Sequence, residues 1–252
     1  MNALLATVVA FASFCLISSA VYIFNDICDA AKDAAHPVKR SRPIASGLIS
    51  KSKAAVLAIL LALAGIAVGF TVNIAVMMLV TAYLALNILY SAWLKHVPVF
   101  DCFSIAAGFV LRVYAGGAAS GETVSDWLFL TIAAMSLFMA FGKRRGEFSR
   151  VRSAESRDVL RRYDIVFLQG MVWICAGLSI VFYSLWALNR EHNMVYTVPL
   201  IIFLVSRYLL RLSDPDSHGD PTTVLFKDKV LLAAGGVYGL LTVFLLYFQG
   251  RG

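Results

Sequence analysis

"FNDICDAAKDAAHPVKRSRPIASG", Phe24 to Gly47, sets three aspartates and then a burst of Lys and Arg directly behind an apolar run that begins near the first residue. A bilayer core takes about 20 apolar residues of helix, so the run at 3–24 reads as a membrane span and the charged stretch as what stands outside it. Asp26, Asp29 and Asp33 are spaced i, i+3 and i+7. If the helix continues past the span, they fall within about 60° of arc on one face. Three carboxylates on one face repel each other unless a cation lies among them. Mg²⁺ is the natural candidate, because it takes a few carboxylates and completes its shell with water and phosphate oxygens. The other reading is a solvated helix end.

The same apolar character runs through the chain. Its 252 residues are 60% hydrophobic and 15% charged, with a mean hydropathy of +0.79, outside the range of soluble domains. Windows of bilayer length fall at about 3–24, 53–70, 72–94, 99–119, 127–141, 165–188, 195–212 and 230–248. Backbone groups in lipid must bond internally and the windows lack strand alternation, so the expected fold is an all-α polytopic membrane bundle of about eight spans. It is read as a single domain over 1–252. No basic region or small-residue cleavage site marks the first span as a removable signal.

Net charge +7 follows topology and not a nucleic-acid footprint. Lys and Arg concentrate in alternate connections: Lys32 to Lys51, Lys95, Lys143 to Arg162, and Arg207 to Lys229. The positive-inside rule turns these to the cytoplasm and both termini outward. Cys15, Cys28, Cys102 and Cys175 are single and unpaired in spacing, and read as small buried hydrophobes. The four histidines are equally isolated.

Within "HPVKRSRPIASG", Arg40 and Arg42 suit bidentate contact with phosphate and Lys39 adds a point charge. Pro37, Pro43 and Gly47 shape the loop. In "YSAWLKHVPVFDCFSIAAGFVLRVYAGG", Tyr90 to Gly117, Asp101 and Arg112 are eleven residues apart and share a helix face about 16 Å apart. An arginine inside a span faces a partner or a polar cavity. Asp101 and Arg112 are therefore read as lining one cavity with Tyr90 and Lys95 at its mouth, the alternative being a helix-packing bridge. Lys143 and Arg144 are read as part of a loop, serving either as topology signals or as phosphate contacts. The acidic, turn-rich "DPDSHGDPTTVLFKDK" says little alone.

Asn25-Asp26-x-x-Asp29-x-x-x-Asp33 followed by Arg42-Pro43-Ile44-Ala45-Ser46-Gly47 resembles the first aspartate-rich motif of the UbiA superfamily of intramembrane prenyltransferases. The Tyr90, Lys95 and Asp101 stretch resembles its second motif, without the paired aspartates of many members. The "HPVKRSRPIASG" loop, "GFVLRVYAGG", "FGKRRGE" and "HGDPT" together look like the superfamily's branch that phosphoribosylates decaprenyl phosphate. That family normally has nine helices, and this chain starts at what looks like the second. The resemblance implies Mg²⁺-dependent transfer of a 5-phosphoribosyl group from phosphoribosyl pyrophosphate to a polyprenyl phosphate, for cell-envelope polysaccharide precursors. It implies metal ligands Asp26, Asp29 and Asp33, catalytic roles for Asp29, Lys95, Asp101 and Arg112, and substrate contacts from Asn25, Lys39, Arg40, Arg42, Tyr90, Lys143 and Arg144. The expected setting is the inner or plasma membrane, with the site facing the cytoplasm, the lipid bilayer as surroundings and a homo-oligomer as an option. The alternatives are prenyl transfer from an isoprenyl diphosphate to an aromatic acceptor such as 4-hydroxybenzoate, and, in another class, a transporter.

Overall fold

A computed structural model of the chain describes residues 2–35, 37, 39–149, 158–190, 193–212 and 221–248. The described residues are helical and form no strand, as their apolar windows require. Two compact units divide between Val124 and Ser125.

The first unit holds α1 (Ala3–Ala35), α2 (Lys51–Val72), α3 (Ile74–Ala92) and α4 (Phe100–Ser120). Each helix packs on its neighbours in sequence, and α1 also meets α3 and α4. Phe14, Ile17 and Val21 of α1 interlock with Val76, Val80 and Tyr83 of α3, and the Phe14 and Tyr83 rings meet edge to face at 5.3 Å. Helices α1 and α2 approach closely because α2 has no side chain at Gly65, where a Cβ would lie 2.7 Å from Ile17 Cγ1. Ser13 Oγ uses that proximity to donate to the Gly65 carbonyl at 2.7 Å. Asn73 caps α3 by accepting from the Val76 N–H and donates to the Ala118 carbonyl of α4, so the tight α2–α3 turn is satisfied.

The second unit holds α5 (Asp126–Ser149), α6 (Ile165–Leu188), α7 (Val198–Leu212), the short α8 (Pro221–Lys227) and α9 (Lys229–Phe248). Helices α5 and α6 pair along their length. Phe138 meets Tyr208 of α7 edge to face at 5.2 Å, and Phe141 meets Phe167 of α6 at 6.3 Å.

Eight of the described helical segments are long and apolar enough to cross a membrane, the number expected. Two ends differ from the hydropathy windows. Helix α1 runs on to Ala35 and α5 to Ser149, because charge ends a hydropathy window but does not end backbone hydrogen bonding. At 33 residues, α1 is about 50 Å long, well beyond the ~30 Å hydrocarbon core. Its last three turns, bearing the aspartates, therefore stand outside the span. Lys143 and Arg144 correspondingly lie on a helix and not in a loop. Cys102 and Cys175 are buried as expected, whereas Cys15 and Cys28 are exposed.

Candidate active site

The continued α1 carries Asn25, Asp26, Asp29 and Asp33 on one face, and two cations from elsewhere in the first unit come to meet them. Arg42 follows the short 3₁₀ turn Lys39–Ser41. Its backbone is held on both sides, with the Arg42 N–H on the Lys39 carbonyl and the Ser46 N–H on the Arg42 carbonyl, both at 2.9 Å. Gly47, at φ +79°, takes the left-handed conformation that lets the loop turn back toward α2. From this frame Arg42 Nη1 donates to Asp26 Oδ1 at 2.9 Å and to Asp33 Oδ2 at 2.8 Å. Lys95, in the turn Leu94–His96 between α3 and α4, donates from Nζ to Asp29 Oδ1 at 2.7 Å. Asp33 is the buried carboxylate, its side chain 6% exposed, while Asp26 and Asp29 are each about one-third open.

Asn25 is set from behind. Ser91, buried on α3, bonds the Asn25 side-chain oxygen and also reaches the Asn87 carbonyl at 2.7 Å. Sequence reasoning missed Ser91 and Asn87, although polar residues inside an apolar helix were the available signal. Lys39 is half-buried and Arg40 exposed on the same loop as Arg42, and Tyr90 is half-buried at the end of α3.

Asp101 and Arg112, expected to line one cavity, are each held by local contacts. Asp101 has no exposed surface and lies in the first turn of α4, two residues after Val99 at φ +71°, a strained backbone value for a β-branched residue. Arg112 donates to Tyr83 Oη at 2.6 Å and Ser18 Oγ at 3.2 Å, with its guanidinium 4.9 Å from the Tyr83 ring centroid. It bridges α4 to α1 and α3, the packing role left open in the sequence. Ser18 precedes Asp26 by eight residues, so this bridge lies about 12 Å up α1 from the aspartates.

In the second unit, Arg144 is 1% exposed and pairs with Glu147 one turn along α5 at 2.7 Å. It thus lies on α5 and not in a loop, because the helix continues through the basic residues. The strongest polar node there was not anticipated. Asp228 receives Arg207 at 2.7 and 3.3 Å, Arg211 at 2.6 Å, and the N–H groups of Val230 and Leu231 at the start of α9. Of the "HGDPT" segment, residues 218–220 lie outside the described residues.

Among the described residues no three His, Cys, Asp or Glu side chains converge as a ready metal group. Asp29 is turned to Lys95, while Asp26 and Asp33 share one guanidinium nitrogen. The donor set nonetheless suits Mg²⁺: a cation already stands within 2.9 Å of two carboxylates, and Mg²⁺ is held by one or two carboxylates with water and phosphate completing its octahedron.

The UbiA prenyltransferase family matches residues 1–230. A decaprenyl-phosphate phosphoribosyltransferase of Mycolicibacterium smegmatis is 36% identical over 240 residues, covering 88% of this chain and 74% of that protein. The enzyme of the same name from Corynebacterium glutamicum is 35% identical, covering 88% and 70%. A solved UbiA homolog from Archaeoglobus fulgidus bound to GPP and Mg²⁺ superposes with a TM-score of 0.76 at 17% identity, covering 96% of this chain and 86% of that one. At that identity the likeness concerns the fold. The chain is an integral membrane transferase, and it belongs to the UbiA prenyltransferase family.

Proposed function

We propose that this protein transfers a 5-phosphoribosyl group from phosphoribosyl pyrophosphate to a polyprenyl phosphate such as decaprenyl phosphate. The C1–O bond to pyrophosphate breaks, pyrophosphate leaves with the electron pair, and an oxygen of the acceptor phosphate forms the new bond to C1. The observation that carries this reading is the 36% identity, over 88% of the chain, to an enzyme of that name. The site's charge pattern supports it, since a donor with several phosphates needs both a metal and fixed cations.

Asp26, Asp29 and Asp33, with Asn25 beside them, would hold Mg²⁺, which when bound offsets the charge that develops on the leaving pyrophosphate. Arg42, with Lys39 and Arg40 on the same loop, binds the donor's phosphate oxygens. Lys95 is positioned for the acceptor phosphate, which is already anionic and needs a cation and orientation in place of a base. Tyr90 flanks it at the end of α3. Asp101, buried in the first turn of α4, acts at a distance by adding negative charge where an oxocarbenium-like ribosyl group forms. Arg112 with Tyr83 and Ser18 ties together three helices of the wall along which the isoprenoid lies. By the distribution of Lys and Arg, this end of the first unit faces the cytoplasm from the cell membrane.

Purified full-length protein in detergent, supplied with radiolabelled phosphoribosyl pyrophosphate, decaprenyl phosphate and Mg²⁺, is expected to produce a labelled lipid that EDTA prevents. Geranylgeranyl diphosphate with 4-hydroxybenzoate is run in parallel. Product in the parallel reaction alone would replace this reading with prenyl transfer, and product in neither would refute both.

A further inference from the structure

We infer that Arg42 and Lys95 are exchangeable counter-cations: they neutralise the aspartates by direct ion pairing and surrender those carboxylates only when divalent metal and pyrophosphate arrive together. The inference rests on the proposed metal and pyrophosphate site, but not on which group is transferred.

One oxygen of each aspartate that would hold the metal is taken by a basic side chain. Arg42 Nη1 occupies Asp26 Oδ1 and Asp33 Oδ2, and Lys95 Nζ occupies Asp29 Oδ1. A carboxylate oxygen at 2.7–2.9 Å from a nitrogen cation cannot also place a Mg²⁺ at 2.0–2.1 Å without crowding the two positive charges. The two occupancies therefore compete. Three carboxylates facing two cations leave one net negative charge, so a divalent ion alone finds little unneutralised charge and strands Arg42 and Lys95 beside itself. Pyrophosphate changes the balance by bringing the anionic oxygens that the displaced Arg42 then takes up, which leaves Lys95 free to turn from Asp29 toward the acceptor phosphate.

The exchange needs only side-chain motion. The Arg42 backbone is pinned by its hydrogen bonds to Lys39 and Ser46 and by Pro43 immediately after it. Its side chain is 42% exposed, so its grip on the aspartates is solvent-weakened and reversible. Lys95, 13% exposed, is the tighter of the two.

The test measures binding of Mn²⁺ by electron paramagnetic resonance to purified full-length protein, with and without inorganic pyrophosphate, and needs no turnover. Wild type is expected to bind Mn²⁺ alone weakly, and pyrophosphate to tighten it at least about tenfold, with the reciprocal tightening of pyrophosphate by Mn²⁺ that linkage demands. Arg42→Gln is expected to bind Mn²⁺ alone about three- to tenfold more tightly than wild type, because two partly exposed ion pairs no longer compete, and to lose most of the pyrophosphate effect. Asp29→Asn, read beside it, identifies the signal as belonging to this site. Should Arg42→Gln fail to purify folded, Lys95→Gln tests the same competition at Asp29. Unchanged or weaker Mn²⁺ binding in a folded variant overturns the inference, as does wild-type Mn²⁺ binding indifferent to pyrophosphate. Failure of the phosphoribosyl assay with this Mn²⁺ behaviour intact would strike the proposed reaction and leave the exchange standing.

Discussion

Replacing Asp228 with Asn should destabilise the second unit by an amount that its geometry sets. The carboxylate, 2% exposed, faces Arg207, 26% exposed, and Arg211, 39% exposed. Breaking a fully buried pair by removing one partner costs about 3–5 kcal/mol, but an exposed pair is worth about 1 kcal/mol or less. With both arginines partly solvated, we expect Asp228→Asn to cost about 2–3 kcal/mol. Asparagine keeps an oxygen for the Val230 and Leu231 N–H groups, so Asp228→Ala should cost about 1 kcal/mol more through the lost cap of α9. Thermal unfolding in detergent is the assay, and a fall of roughly 5–10 °C is expected for Asp228→Asn. The Arg207 guanidinium, then Arg211, hold the carboxyl well below the usual carboxylate range, against the opposing effect of burial. The folded state thus releases its proton more readily than the unfolded chain, so this stabilisation is fully present above about pH 5 and fades as pH falls below the ordinary carboxylate range near 4. The gap between wild type and Asp228→Asn should be constant from pH 8 to 5 and close in stronger acid. A variant as stable as wild type at pH 7, or a gap that widens in acid, would refute the reasoning.

Three further outcomes can be checked. Asp29→Asn should lower Mg²⁺-dependent turnover by about 10²-fold or more, since it removes a charge on which both metal and Lys95 depend; full Mg²⁺-dependent turnover would remove Asp29 from the site. Gly65→Ala should cost about 1–3 kcal/mol by overpacking against Ile17, and Gly65→Ala with Ile17→Ala should cost less than the two single changes added together; wild-type stability in the single Gly65 variant would mean that α1 and α2 are less closely apposed. Tyr83→Phe leaves the Arg112 guanidinium without its shortest hydrogen bond and should lower the unfolding temperature by an amount equivalent to about 1 kcal/mol, while Tyr83→Phe combined with Arg112→Leu should cost less than the two single changes added together.

What could be read from the chain alone was whatever depends on neighbours in sequence. Span number follows from apolar windows of bilayer length, and the described residues hold eight helices long and apolar enough to span, the number the windows predict. The common face of Asp26, Asp29 and Asp33 follows from the 3.6-residue period once the helix continues, and α1 does continue through all three. The family motif is likewise a local pattern. Hydropathy windows end before α1 and α5 do, because hydropathy reports the solvent and not the hydrogen-bond ladder, and so Lys143 and Arg144 fall on α5 and not in a loop.

The partners of those charges were decided only by packing. Lys95 and Asp29 are 66 residues apart, and they meet because α3 packs against α1 and delivers the α3–α4 turn to the aspartate end. Arg112 meets Tyr83 and Ser18 because α1 and α3 present their hydroxyls at its level, and no spacing along α4 reveals that. Asp228 became a node for two arginines only through the meeting of α7 with the start of α9. Charge attracts through space and periodicity acts along the chain, so the sequence determined which residues carry the chemistry and the tertiary structure determined which of them share it.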